Sequence, residues 1–179
     1  RISQVLIAAY TLLQWAFTIY IFLHKGAIEF QYFTYDSLGI IFTVASGIVM
    51  IPAFYHSHIY LTKNGENPRN RSIYYAVMIS LITALTAAYL ANHLGVAWIF
   101  VEITTLSAAP LINHRRTIRT LEATWKYIFV CSISITLVFI GILFLSIAIQ
   151  QEGLKDLTFT ALAENATRLN PFWLKLAFL

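Results

Sequence analysis

The chain has 179 residues, 59% of them apolar and 11% charged, and its mean hydropathy of +0.70 excludes a water-soluble domain. The net charge of +4 comes mostly from residues between the apolar runs, which indicates membrane topology, and we predict no nucleic-acid partner. The single cysteine, Cys131, excludes an intrachain disulfide or a cysteine metal cluster, and we interpret it as a small buried apolar residue.

The apolar runs are long enough to cross a lipid bilayer as helices, which takes about 20 residues each. They predict an all-α, polytopic transmembrane helix bundle with five full spans and the start of a sixth. Pro52 and Pro110 lie inside apolar runs and are expected to kink or end their helices. The predicted spans are 2–23, 38–61, 72–91, 96–112 and 121–149, with 172–179 opening the sixth.

The connections are polar and differ in length. The stretch 62–71 is a turn rich in Gly, Asn and Pro, and 92–95 is the tightest connection. The longest, 150–171, is predicted to contain a short surface helix within 157–169. Because the chain begins with Arg1 and enters an apolar run almost at once, we expect 1–179 to be a single membrane domain and an N-terminal fragment of a larger subunit.

Lys and Arg are divided unequally between the two ends of the predicted bundle. One end has seven and the other has four, mixed with acids, so we expect the first end to face the cytoplasm, with residue 1 on that side of a prokaryotic inner membrane. The seven are Arg1, Lys63, Arg69, Arg71, Arg115, Arg116 and Arg119; the four are Lys25, Lys155, Arg168 and Lys175.

Glu102 stands in the fourth run without a Lys, an Arg or a second acid. An ionisable side chain at membrane depth costs at least a few kcal/mol, and it usually faces protein or water and marks an ion path. Helical spacing puts Trp98, Thr105 and Ala109 on the same face, with Ala108 beside them, and small residues let a neighbouring helix approach. We predict that Glu102 points into protein as a proton relay; the alternative is a neutral acid hydrogen-bonded for packing.

The start of the fifth run carries a second charged group of interest. Thr120 is the predicted N-cap, and Glu122 is expected in the first helical turn, where the helix dipole favours an anion. Glu122 and Lys126 are four residues apart on one face and can pair. Lys126 lies about 8 Å inside the helix start and Glu102 about 15 Å from the end of its own helix. Either the charges of Glu102 and Lys126 interact, or Lys126 extends its ammonium to the membrane–water interface.

The histidines allow an alternative function. His56, His58 and His114 lie near one end of the bundle, where a bis-histidine haem site is conceivable, although span edges are ordinary positions for histidine. His93, at the other end, is either part of a proton route or a polar turn residue. No phosphate loop, CxxC pair, nucleophile elbow or HExxH motif is present, so we predict no catalytic residue, cofactor or metal in this chain.

Two motifs resemble a known family. WIFVEITTLSAAPL and LEATWKYIFVCSISI are similar to the F-type subunits of hydrogenase-4 and formate hydrogenlyase complexes, within the antiporter-like family shared with complex I and the multisubunit Na+/H+ antiporters. YDSLGIIFTVASGIVMIPAFYHSHIYL and LNPFWLKLAF resemble the family's neighbouring segments. The resemblance covers most of residues 33–179, and its E-x-T-T-L and L-E-A-x-W-K-Y elements are fairly specific together.

The resemblance implies a proton-translocating membrane subunit. Glu102 matches the family's intramembrane glutamate, which works with lysines of later helices, and Lys126 matches the lysine of L-E-A-x-W-K-Y. The first of the later lysines is expected beyond Leu179. The five spans correspond to the family's second to sixth helices, and this places Arg1 in the cytoplasm, as the charge count does.

The leading hypothesis is therefore an ion-pumping, non-catalytic subunit of a complex I-related redox complex, with the bilayer and other membrane and peripheral redox subunits as partners. Glu102 and Lys126 are its proposed proton relay, and Glu122, His93 and Thr105 are further candidates. The alternatives are a haem-binding, cytochrome-b-like electron carrier and a purely structural membrane subunit.

Overall fold

The computed structural model describes residues 2–153 and 156–179, which form seven helices and one short β-hairpin. Five helices are long and apolar enough to cross a membrane, so the chain is an all-α, multi-pass membrane protein as predicted. The helices are α1 (Ile2–Leu23), α2 (Ser37–Lys63), α3 (Pro68–Leu90), α4 (Leu94–Ile112), α5 (Ile118–Gln151), α6 (Phe159–Asn165) and α7 (Pro171–Ala177); β1 (Ile28–Glu29) pairs with β2 (Phe33–Thr34).

The connections are shorter than the sequence patterns indicate. The polar turn predicted over 62–71 contains only residues 64–67, because α2 continues to Lys63 and α3 starts at Pro68, where a proline suits the first helical turn. The prediction of a short surface helix within 157–169 is confirmed by α6. Pro52 and Pro110 lie inside continuous helices, so neither of them ends its helix.

The predicted start of α5 is wrong by three residues. Thr117, not Thr120, is the N-cap, and the two threonines form a capping box in which Thr117 Oγ1 accepts from Thr120 N and Thr120 Oγ1 accepts from Thr117 N. The sequence reading failed because either threonine satisfies the N-cap preference. Glu122 consequently lies beyond the first turn of α5.

Helices α1, α2 and α3 share an interior that mixes apolar and polar contacts. Met50 and Phe54 of α2 and Tyr75 and Ile82 of α3 belong to one buried cluster. Between α1 and α3, the buried Gln14 donates from Nε2 to Thr86 Oγ1 at 2.9 Å. Such interhelical hydrogen bonds satisfy polar side chains for which the hydrocarbon core of the bilayer has no hydrogen-bond partners.

One end of the bundle, called the hairpin face, joins the β-hairpin, the α3–α4 turn and the segment before α6. Asn92 is their common point: its backbone N donates to Tyr32 O at 2.6 Å, and its O accepts from Phe159 N at 2.9 Å. Its side-chain Nδ2 donates to Thr160 Oγ1 at 3.2 Å. Asn92 is buried, with 8% of its surface exposed.

The other end, called the basic face, carries most of the positive residues that the structure describes. Arg71 Nη2 donates to Thr62 Oγ1 at 2.7 Å, and Arg115 Nε donates to Tyr60 OH at 2.6 Å. Two of the residues used in the charge count, Arg1 and Lys155, lie outside the described residues. The predicted placement of residue 1 is therefore not described either.

Candidate functional site

Helix α4 carries the predicted relay residue at its middle. Its 19 residues rise about 28 Å, close to the roughly 30 Å hydrocarbon thickness of a bilayer. His93 caps the helix at the hairpin face, where its Nδ1 accepts from Gly95 N at 3.1 Å. Asn113 caps the other end at the basic face, and His114 follows it. One helix thus places Glu102 between two histidines.

The Glu102 carboxylate is half-buried and has polar neighbours. Thr105 Oγ1 donates to the Glu102 backbone oxygen at 2.8 Å and lies 3.4 Å from Oε2, so Thr105 connects the backbone and the carboxylate of the same turn. The phenol of Tyr127, on α5, lies within electrostatic range of Glu102 and next to the Cys131 thiol. Among the described residues Glu102 forms no ion pair.

The face of α4 that bears Glu102 is directed at protein, since other residues of that face also contact α5 or are buried. Trp98 Nε1 donates to the Ile135 backbone oxygen at 3.1 Å, and its ring lies 4.8 Å from that of Phe139. Ala109 is the buried residue of α4, with 5% exposure. The small side chain of Ala109 allows the close approach expected at a membrane helix interface.

Lys126 does not lie with Glu102. Its Nζ is 2.6 Å from Glu122 Oε1, so the predicted pairing of these two residues on one helix face is present. The pair is exposed, with 74% of the Lys126 side chain and 61% of the Glu122 side chain accessible. The two residues lie within the first three turns of α5, near the basic face.

The three histidines near the basic face differ in their surroundings. His58 Nε2 lies 3.2 Å from Gln4 Nε2, and its Nδ1 lies 3.5 Å from Tyr75 OH. His114 Nε2 lies 3.4 Å from Glu66 Oε1, whereas His56 is exposed. Within residues 2–153 and 156–179, no three His, Cys, Asp or Glu side chains come together as a metal site requires.

Sequence reasoning missed Tyr127 and Glu66. Tyr127 is part of the LEATWKY motif, but one residue along a helix turns the side chain by about 100°. Only the packing of α5 decides that Lys126 is exposed while Tyr127 is half-buried and within electrostatic range of Glu102. Glu66 is one of several polar residues in the α2–α3 turn, and no spacing rule connects it with His114.

Comparison with known proteins supports the family resemblance that the two motifs indicate. No protein-family model matches the chain. A curated protein from Methylacidiphilum infernorum (isolate V4), described as "Hydrogenase-4 component F homolog", is 24% identical to the chain over 189 residues. The similarity covers 97% of the chain and 40% of that relative, so the chain spans about two fifths of the relative's length. The predicted resemblance to the F-type subunits of hydrogenase-4 is therefore confirmed along nearly the whole chain.

Proposed function

We propose that the chain is part of a proton-translocating membrane subunit of a hydrogenase-4-like redox complex, with Glu102 as its buried proton relay. The observation that carries the proposal is the position of this single carboxylate, halfway along the bilayer-spanning α4 and on the helix face where Trp98 contacts α5. The name of the similar protein, a hydrogenase component, supports a place in a complex with other subunits. The chain itself is the ion-moving part, and the redox reaction belongs to partner subunits.

The described contacts assign a role to each candidate group. Thr105 orients the Glu102 carboxyl, since it donates to the same helical turn and lies within reach of Oε2. Tyr127 supplies a hydroxyl at the α4–α5 interface beside Glu102. His93, about 13 Å along α4, stands at the hairpin-face end of the same helix. Proton transfer between Glu102 and His93 then needs water to bridge the roughly 13 Å between them.

Lys126 and Glu122 act as a charged pair at the basic-face end of α5. A redox-driven change of charge in a partner subunit reaches this pair first, because both side chains are exposed. Movement of the Lys126 ammonium toward the bilayer centre favours an ionised carboxylate at Glu102, and its return to Glu122 favours proton uptake there. We expect the basic face in the cytoplasm, because of its excess of Lys and Arg.

The substitution Glu102→Gln tests the proposal, since it keeps the size of the side chain and removes its titration. In the assembled complex reconstituted into vesicles, we expect proton translocation per electron pair to fall by about tenfold or more, because an amide cannot take up or release the proton and positioned acid–base groups speed proton transfer by about 10²- to 10⁴-fold. Internal acidification of the vesicles, measured with a pH-sensitive dye, gives the result.

Glu152→Gln is the matched control, because Glu152 is an exposed acid at the C-cap of α5. It should leave translocation and assembly unchanged. Normal pumping stoichiometry in Glu102→Gln would contradict the relay assignment. A Glu102→Gln subunit that fails only to assemble would favour a structural role instead.

A further inference from the structure

An open groove lies between α1 and α3, in the part of the bundle near the basic face. Its volume is about 830 Å³, within the range of roughly 300 to 1,000 Å³ that is usual for ligand sites in proteins. On α3 the lining residues run from Pro68 to Ile79, about 17 Å, and on α1 they run from Leu6 to Leu13, about 11 Å. Half of the hydrocarbon core is roughly 15 Å thick, so the groove on α3 is about as long as one leaflet is deep.

The floor of the α1–α3 groove is packed protein, whereas its rim is exposed. Four lining residues belong to the buried cluster shared by α2 and α3 or pack against it: Ile7, Tyr10, Tyr75 and Ile79. One turn beyond the α3 lining, Thr83 Oγ1 and Tyr10 OH are hydrogen-bonded at 2.8 Å and join the two helices. At the rim, 59% of Leu6 and 65% of Leu13 are exposed. An apolar groove that opens sideways to the bilayer fits a lipid acyl chain.

Arg71 lines the mouth of the groove, about 5 Å from the start of α3. Its Nη2 donates to Thr62 Oγ1 at 2.7 Å, and the phenol of Tyr75 lies within electrostatic range. Nε is enclosed by protein, so an anion can reach the guanidinium only at its Nη atoms. Both neighbours are neutral hydroxyls, which leave the positive charge of the guanidinium uncompensated.

The acids that the structure describes do not neutralise Arg71. Glu66, five residues earlier, lies against His114 at 3.4 Å instead, and within residues 2–153 and 156–179 Arg71 forms no ion pair. The start of α3 adds to the positive potential, because the helix macrodipole is positive there and the side chain of the N-cap, Asn67, makes no capping hydrogen bond. The mouth of the groove therefore attracts an anion.

Charge at the mouth and apolar walls along the floor together favour one kind of occupant. A zwitterionic lipid or an apolar helix can fill the groove, but neither has a net charge to offset that of Arg71. An anionic phospholipid matches both parts, since its phosphate accepts hydrogen bonds from a guanidinium and its acyl chain covers apolar side chains. Basic pockets between membrane helices commonly bind such headgroups.

We propose that the α1–α3 groove is a binding site for an anionic phospholipid of the leaflet on the side of the basic face. The Nη atoms of Arg71 hold the phosphate at the mouth, and one acyl chain lies along the floor beside Ala76 and reaches Leu13. The lipid then stabilises the contact between α1 and α3. Glu102 takes no part in this site, so the inference goes beyond the proposed function and does not depend on it.

Photo-crosslinking of the assembled complex tests the inference. The complex is reconstituted into phosphatidylcholine vesicles with a trace of phosphatidylglycerol or phosphatidylcholine that carries a diazirine in one acyl chain, and adducts are located by peptide mass spectrometry. We expect adducts within 6–13 and 72–79, about fivefold more with phosphatidylglycerol, because a basic residue near the membrane contributes roughly 1 kcal/mol toward anionic lipid. Equal labelling by the two lipids would overturn the inference. So would the absence of adducts in both segments, which would show that protein covers the groove.

Substitutions at the mouth isolate the charge. Arg71→Gln should remove the preference for phosphatidylglycerol, and Arg71→Lys should keep most of it. Arg69→Gln is the matched control, because it removes the same charge from an exposed side chain that is not among the lining residues, and it should keep the preference. An equal loss in Arg69→Gln and Arg71→Gln would indicate general attraction to the basic face and would overturn the specific site.

A substitution inside the groove tests the position of the acyl chain. Ala76 is exposed and lines the groove, so Ala76→Phe should fill it and lower the labelling of 6–13 severalfold. Ala8→Phe is the control, since Ala8 is an exposed residue of α1 outside the lining, and it should label as the wild type does. Unchanged labelling in Ala76→Phe would overturn the inference. Glu102→Gln should also label as the wild type does, so the inference and the proposed function can fail separately.

Discussion

The free-energy cost of exposing the Glu102 carboxylate to lipid limits the direction in which this face of α4 can point. An ionised carboxylate at the centre of a membrane helix costs roughly 2.5 to 3.5 kcal/mol, and one hydrogen bond such as that from Thr105 returns only about 1 kcal/mol. The hydrogen bond with Thr105 alone therefore does not offset the free-energy cost of exposing the ionised carboxylate to lipid. Trp98 on the same face contacts α5, and Tyr127 of α5 lies within electrostatic range of Glu102, so the free-energy balance favours a Glu102 side chain that faces protein.

Asn92 provides a prediction at the same scale. Asn92→Ala should lower the free energy of unfolding by about 1 kcal/mol, because the part-buried hydrogen bond from Asn92 to the Thr160 hydroxyl is lost. Thermal unfolding of the purified protein in detergent measures the change. Asn67→Ala is the control, since the Asn67 side chain makes no capping hydrogen bond and is exposed, and it should cost less than about 0.5 kcal/mol. Equal losses in the two variants would contradict the role of Asn92.

Among the elements, the β-hairpin was not predicted. Its strands have two residues each, too few for an alternating pattern to be visible. Phe30 and Gln31 both adopt positive φ, of 53° and 63°, and neither residue type is typical of such a turn. Tyrosines outside the two strands stabilise the hairpin instead: Glu29 accepts from Tyr20 OH at 3.1 Å and from Tyr35 OH at 2.7 Å.

The hairpin is expected to weaken at alkaline pH. Burial raises the pKa of Tyr35, and the hydrogen bond to the charged Glu29 raises it further. Since the folded chain holds this proton more tightly than the unfolded chain, the stability that it contributes is complete below about pH 10 and is lost as the pH rises above it. Unfolding midpoints measured from pH 9 to 12 should therefore fall more steeply in the wild type than in Tyr35→Phe.

Glu29→Gln separates the two causes of the raised Tyr35 pKa. The amide removes the negative charge but leaves the burial of Tyr35 unchanged, so the alkaline loss should still begin near pH 10, as in the wild type, but be smaller, because the folded-state pKa is raised less. Identical pH dependence in the wild type and Tyr35→Phe would contradict the prediction. Phenolate absorbance near 295 nm gives an independent reading of the same titration.

For the whole molecule, the helix lengths and the exposed apolar side chains are those of a membrane protein whose outer surfaces contact lipid or other subunits. Helix α5 has 34 residues and is about 51 Å long, well beyond the roughly 30 Å hydrocarbon core. Its first turns, with Glu122 and Lys126, consequently extend into the interface on the basic face. Large apolar side chains such as Phe129 and Leu137 are exposed along it, as contact with lipid or with other subunits requires.

The orientation of the whole chain can be tested by labelling. In a Cys131→Ser background, we expect Glu152→Cys to react with a membrane-impermeant maleimide added outside intact spheroplasts. Asn67→Cys should react only after the membrane is opened, because the basic face is expected in the cytoplasm. Both replaced residues are exposed and lie at opposite ends of the bundle. The reverse labelling pattern would contradict the orientation.

The sequence by itself determined the membrane class, the five spans and the singular position of Glu102, because apolar run length and the cost of an intramembrane charge are local properties of the chain. It also determined the Glu122–Lys126 pair, since helical spacing alone brings those residues together. Only the tertiary structure decided which face of α5 packs against α4, and so brought Tyr127 within electrostatic range of Glu102 and left the Lys126 side chain exposed. The same holds for Glu66 and His114, 48 positions apart in the numbering, because contacts between distant residues depend on how the helices pack.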